Sequence, residues 1–219
     1  MEHIQTRLDH ENEFVAGAPA LDFANTVGGS RRSITHDHLL RYADLVVFAR
    51  QGGYITDALA SKLLARAKDQ PSEAADAFRR AVRLREAIWN VLAPDSETKR
   101  TIMEEVAVIS SEAANAAGHF RLRRVGDSFK QVWDDEVVLE RALWPMAHSA
   151  AEILTSEVHR SAVRECESET CSWLFLDQTR NHSRRWCDMR DCGNRAKARR
   201  LRERRVAEKK TAYRTRSRT

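Results

Sequence analysis

Four cysteines, Cys166, Cys171, Cys187 and Cys192, fall within 27 residues of a 219-residue chain whose first 165 residues contain none. Clustering this tight implies one shared task. The spacing is Cys-x4-Cys, fifteen residues, then Cys-x4-Cys, so two close pairs meet across an intervening loop. A reducing compartment disfavours paired disulfides, whereas thiolates shared by a metal ion are stable there. Four thiolates form a closed tetrahedral set, the donor pattern of structural zinc, with no vacancy for activating water. The expected cofactor is one structural Zn2+ held by all four; the competing reading is four buried thiols. His182, the other donor nearby, reads as an exposed polar residue of a turn.

The compartment follows from what the chain lacks. Its opening, Met1-Glu2-His3, has no apolar run behind a basic cluster, and no stretch approaches the roughly 18 apolar residues of a membrane span. The expectation is a cytoplasmic protein with no membrane partner.

The net charge of +5 hides an asymmetry. From Arg160 to Thr219 there are 18 Lys+Arg against 8 Asp+Glu, a balance of +10, so residues 1–159 carry −5. A basic end on an acidic body is the electrostatic footprint of a nucleic-acid-binding module. Fifteen of those 18 cations are arginines, whose planar fork grips phosphates and guanine edges in pairs.

The chain before the cysteines reads as mostly helical. Leu21 to Val27 is a short apolar segment closed by Gly28-Gly29, read as a helical turn in preference to a strand. Apolar residues recur at helical spacing from His38 to Arg50, with Gly52-Gly53 as a left-handed stop and with His36 and His38 on the solvent side of the helix start. A second helix, capped by Thr56 or Asp57, carries Leu59, Leu63, Leu64 and Ala67 and ends before Pro71. A third runs from Ser72 to Pro94, and a fourth from Ser96 or Glu97 to Gly118. Alternation from Phe120 to Trp133 around Gly126-Asp127 predicts a β-hairpin. Helical spacing then resumes, with Pro145 either kinking that helix or starting another. A linker is expected over 155–160.

The predicted fold is therefore mainly α: a helical N-terminal domain with a small β-hairpin over 1–159, a zinc-stabilised hairpin-plus-helix module over 160–208, and a basic tail without fixed structure over 209–219. Within the module, Trp173 to Asp177 reads as a strand and Gln178 to Arg184 as a turn. So small a unit cannot easily offset its chain entropy, and about 10–16 kcal/mol from structural zinc would dominate its folding. From Gly193 to Val206 nearly every residue favours helix. At helical period Ala198, Leu201 and the Arg205 stem are expected to face the zinc knuckle. Arg195, Arg199 and Arg202 form the stripe that enters a major groove. Lys197, Arg200 and Arg204 flank it to meet phosphates, with Arg184 and Arg185 adding to them from the turn.

Two stretches resemble known families. Cys166 to Arg205, through Trp173-Leu174-Phe175-Leu176-Asp177, Arg184-Arg185-Trp186-Cys187 and Cys192-Gly193-Asn194-Arg195, resembles a CGNR zinc finger. The preceding region is similar to the ABATE domain through Leu21-Asp22-Phe23-x-Asn25-Thr26, the helix containing Leu84-Arg85-Glu86-Ala87-Ile88, and the Ala-rich segment before the finger. The resemblance implies a bacterial, stress-related transcription regulator whose finger reads DNA, with the four cysteines as zinc ligands and Asn194 and Arg195 in the motif that names the finger. It supplies no ligand for the N-terminal domain. There, Asp22, Asn25 and Arg85 stand in apolar segments. They form either a ligand site or, as the residue types favour, a structural polar network of caps and a buried ion pair.

The expected function is DNA-binding transcription regulation, with double-stranded DNA as partner and the N-terminal domain as sensor of a small-molecule effector or a protein. The alternative is a zinc-dependent RNA-binding or protein-interaction adaptor. A homodimer is compatible with the chain, although no heptad pattern supports one. No enzyme is expected: there is no Gly-rich phosphate loop, His-Glu-x-x-His or nucleophile elbow, and His36, His38, His119, His148 and His159 lie at no ligand-like spacing.

Overall fold

In a computed structural model the backbone is described for residues 12–31, 33–93 and 99–216, and the side chains for the same residues except 99–101 and 206–216. Pro19, pre-set for a first helical turn, opens α1 (Pro19–Ala24), whose Leu21 and Phe23 are fully buried. The helix stops there. Residues 21–27, expected as one helical turn, divide instead into the end of α1 and the start of β1 (Val27–Ser30), which pairs antiparallel with β2 (Ser33–Asp37). Gly29, at φ +89°, carries the bulge that bends this ribbon. A Cβ on Gly28 would collide with the His36 ring, so the two glycines let the ribbon form and hold His36 on β2. The expectation that His36 and His38 start a helix is thereby corrected; α2 begins at Tyr42.

The helical body follows the periodicity. The helices are α2 (Tyr42–Gln51), α3 (Asp57–Asp69), α4 (Pro71–Leu92) and α5 (Lys99–Ala117). Gly53 has φ +72° just beyond α2, and the Thr56 hydroxyl accepts the Leu59 N–H at 3.2 Å as the α3 cap. Residues 94–98, where the third helix was expected to end and the fourth to begin, lie outside the described residues. The hairpin β3 (Phe120–Val125) and β4 (Ser128–Trp133) turns at Gly126-Asp127. A 3-10 turn at Leu139–Ala142 leads to α6 (Trp144–Thr155), and Pro145 starts that helix rather than kinking it. The buried faces of α1, α4, α5 and α6 make one core.

The expected linker over 155–160 is largely helical: Ser156 caps α7 (Glu157–Ala162) by accepting the His159 N–H at 3.2 Å. Next, β5 (Val163–Glu165) pairs antiparallel with β6 (Leu174–Leu176). Leu174 and Phe175 have no exposed surface and belong to the same core as α1. The strand of the module is thus sunk into the helical body and shares its core. A π-helical turn (Met189–Gly193) runs into α8 (Asn194–Arg216), so the segment expected as a tail from 209 is helical as far as Arg216. At 1.5 Å per residue α8 is about 35 Å long. Among the described residues no helix is long and apolar enough to cross a membrane.

Candidate functional site

The cysteines converge because two turns are tied to one hairpin. Cys166 and Cys171 sit on the connection between β5 and β6, where the Cys166 N–H donates to Trp173 O at 2.9 Å and the Cys171 N–H to Ser168 O at 2.9 Å. The first pair thus caps the hairpin, which was expected to lie between the two pairs. Cys187 follows the Gln178–Arg184 turn. That turn winds on Asp177, whose carboxylate accepts the Thr179 N–H, the Thr179 hydroxyl and the Arg184 N–H at 3.0, 2.5 and 3.0 Å. Burial works against the Asp177 charge, yet these hydrogen bonds hold it below the usual carboxylate range. Cys192 comes from the π turn, whose wide ring closes through Gly193 N–H to Asp188 O at 3.0 Å.

All four sulfurs are buried and lie within 4.8 Å of one another. Cys171 and Cys187 approach to 3.8 Å, Cys187 and Cys192 to 3.6 Å. A tetrahedron of M–S bonds near 2.3 Å has edges of about 3.8 Å, so the donors match a four-thiolate metal in size as well as in type. The surrounding donors favour thiolate. The Trp173 backbone N–H points at Cys171 and the Cys187 backbone N–H at Cys166, and the Arg195 guanidinium meets Cys192 Sγ at 2.9 Å and Asp191 at 2.9 Å. Outer donors of this kind orient and tune metal ligands. His182 is an exposed turn residue at φ +47°, bonded to Asp177 O rather than to the sulfurs.

The basic residues singled out from the sequence separate into two groups. Arg184 is turned inward, with its Nε on Trp186 O, its terminal amine on Val15 O and Cys187 O, and its guanidinium 4.4 Å from the Phe175 ring centroid. Arg185 pairs with Glu167. The Asn194 amide donates to Arg190 O at 2.8 Å across the π turn. Arg195 serves the sulfurs, and Arg199 pairs with Glu169 at 2.5 Å. By contrast Lys197, Arg200, Arg202, Arg204 and Arg205 are exposed and form no ion pair among the described residues.

The phase of α8 differs from the expected one. The buried contact with the knuckle is Ala196, 8% exposed, while Ala198 is exposed and Leu201 is 52% exposed. Periodicity could not fix this phase because up to Arg205 α8 offers only Ala196, Ala198 and Leu201 as apolar residues; the Arg195–Cys192 and Arg199–Glu169 contacts set it instead.

Asp22, Asn25 and Arg85 are all buried, but they do not form one network. Arg85 lies bidentate on Asp37 at 2.7 and 2.8 Å and on Glu86 at 2.9 Å. Asn25 bonds the finger strand: its amide donates to Leu174 O and its oxygen accepts the Leu174 N–H, both at 2.8 Å. Asp22 accepts the Ala16 N–H at 2.9 Å. Sequence reasoning missed the two tryptophans that complete the seam, Trp89 donating to Ser172 O at 2.9 Å and Trp173 to Val27 O at 3.0 Å. Their half-apolar, half-donor character was the available signal.

Comparison with known families agrees with this order of parts. Residues 162–205 match the family described as "CGNR zinc finger". No curated protein matches the chain. Residues 17–157 match ABATE, described as "Putative stress-induced transcription regulator". With nearly two thirds of its length in that match, the chain belongs to the ABATE family and carries a CGNR zinc finger behind the ABATE domain.

Proposed function

We propose that the protein is a DNA-binding transcription regulator in which one structural Zn2+, held by Cys166, Cys171, Cys187 and Cys192, fixes the base of α8 and presents that helix to duplex DNA. Zinc suits a closed set of four thiolates because it has no redox chemistry and accepts tetrahedral geometry. The observation that carries the reading is the division of labour among the cations. Arg184 and Arg195 are occupied in building the knuckle, whereas Lys197, Arg200, Arg202, Arg204 and Arg205 stand on an exposed helix and form no ion pair among the described residues. Five exposed cations, outside any ion pair among the described residues, supply on one helical stretch the positive charge that phosphate binding needs. Arg185 and Arg199, whose ion pairs are at the surface, can exchange Glu167 and Glu169 for phosphates at small cost. Asn194 and Arg195 act on DNA indirectly, by holding the turn from which α8 departs.

The test is fluorescence anisotropy with labelled duplexes, followed by selection of bound duplexes from a random pool. If five phosphates are neutralised, log affinity falls against log salt with a slope near about −4.5. A flat slope, or no sequence enriched from the pool, sinks the regulator reading. Preference for structured RNA over duplex DNA in the same assay favours the adaptor reading, which the same exposed cations also accommodate. The helical body, joined to the finger through Asn25 and Leu174, is assigned to sensing.

A further inference from the structure

A cavity of about 330 Å³ lies between the β1–β2 ribbon and the cysteine knuckle. Both units build it. The ribbon contributes His36 and His38, the helical body Asp22 and Phe48, and the finger Trp173 and Arg195, while Cys171, Cys187 and Cys192 close the far wall. The volume is at the small end of the range for specific ligand pockets.

The charge of the walls identifies what fits. Asp22 is 6% exposed, and its carboxylate is met by the backbone N–H groups of Ala16 and Val15 but by no lysine or arginine among the described residues. Glu13 at the rim and Asp191 beside the knuckle add two more carboxylates. Partial burial raises the Glu13 pKa, and the negative charges of Asp191 and Asp188 raise it further. Arg195 offsets this only in part: it lowers the Glu13 pKa, but its guanidinium is shared between Cys192 and Asp191. Trp173, partly exposed in the wall, completes a setting that favours a cation over an anion.

We infer that this cavity is a binding site for a small organic cation, an amine or ammonium compound whose charge is met by Asp22 and Glu13 and whose apolar part lies against Trp173. The inference names the effector class of the regulator and rests on that reading for its biological meaning; the binding itself does not require DNA. Because the ligand touches the ribbon on one side and the cysteine knuckle on the other, its occupancy bears on the seating of the finger and so on the direction of α8.

The experiment uses the full zinc-loaded chain and isothermal calorimetry with tyramine, putrescine and choline. 4-Hydroxyphenylacetate serves as the matched anion, having a carboxylate in place of the tyramine ammonium. One or more of the amines is expected to bind saturably at one site and to change tryptophan emission, while the anion gives no heat. Asp22→Asn is expected to weaken the amine by about tenfold or more at unchanged zinc content. Glu13→Gln, at an exposed rim position, is expected to weaken it severalfold and keeps the test decisive if Asp22→Asn folds poorly. The inference is overturned if none of the three amines saturates by on the order of 10 mM, if the carboxylate binds as well as tyramine, or if the substitutions leave affinity unchanged. Loss of DNA binding with amine binding intact would sink the regulator reading alone; the reverse would sink only the inference.

Discussion

Asn25 and Leu174 are joined as if they were neighbours in a sheet: one amide side chain gives and takes a hydrogen bond from the same backbone residue, both at 2.8 Å, 149 positions along the chain. Leu174 has no exposed surface, so neither of its backbone groups can turn to water when the amide is removed. Asn25→Ala is therefore expected to destabilise the protein by about 2–4 kcal/mol, the cost of two unsatisfied buried groups. Urea unfolding followed by circular dichroism and by zinc release checks this, with both transitions moving together. A shift in zinc release alone would mean that the finger is not anchored through Asn25.

Arg195 and Arg200 are five residues apart on α8 and are expected to fail differently. Arg195 faces Cys192 Sγ at 2.9 Å, whereas Arg200 is exposed and outside any ion pair among the described residues. Arg195→Ala should weaken metal retention by about 10–100-fold in a chelator competition. Arg200→Ala should leave metal retention unchanged and make the salt slope of DNA binding shallower by about 1. Equal effects of both substitutions on metal retention would contradict the assigned division.

Asp22 gives a pH signature. Burial pushes its pKa to about 6 from an ordinary value of 3.8. A carboxyl whose folded pKa lies above its unfolded one binds more protons in the folded state between the two values, so stability falls as pH rises through that window. The full cost above pH 6 is about 3 kcal/mol. Asp22→Asn removes the ionisation, so its stability relative to wild type should grow by on the order of 1 kcal/mol from pH 5 to pH 7.5. A difference between the two proteins that does not change with pH would contradict the buried, uncompensated carboxylate.

Metal removal should be local in its effect. Phe175 and Leu174 are packed in the core shared with α1, so their burial rests on the helical body as well as on the knuckle. Stripping the zinc should redden the emission of Trp173 and Trp186 and free α8, while the helical body keeps most of its far-ultraviolet signal. Loss of all helical signal on chelation would show that the body depends on the knuckle for its folding.

Several of these features were legible in the sequence and others were not. The four cysteines announced their site because a closed set of like donors has few other uses, and the helices of the body announced themselves by period. The ribbon at β1–β2 did not: Gly28 and Gly29 read as a helix stop, and only the fit of the His36 ring over Gly28 shows why the chain bends there. Arg85 was read as the partner of a nearby carboxylate, which it is, but of Asp37 on the ribbon and not of Asp22. The phase of α8 was illegible because its orientation comes from two polar contacts, Arg195 with Cys192 and Arg199 with Glu169, and period analysis weighs only apolar residues. Packing of β6 into the body was equally hidden, since the Leu174-Phe175-Leu176 run fits a strand buried against anything.

X-ray absorption at the zinc edge of the purified full chain tests the account at its root. Four sulfur scatterers at about 2.3 Å, with no nitrogen or oxygen in the first shell and one zinc per chain, are expected. A fully folded protein without metal, or zinc bound through oxygen or nitrogen, would remove the anchor from which α8 is presented and contradict the account.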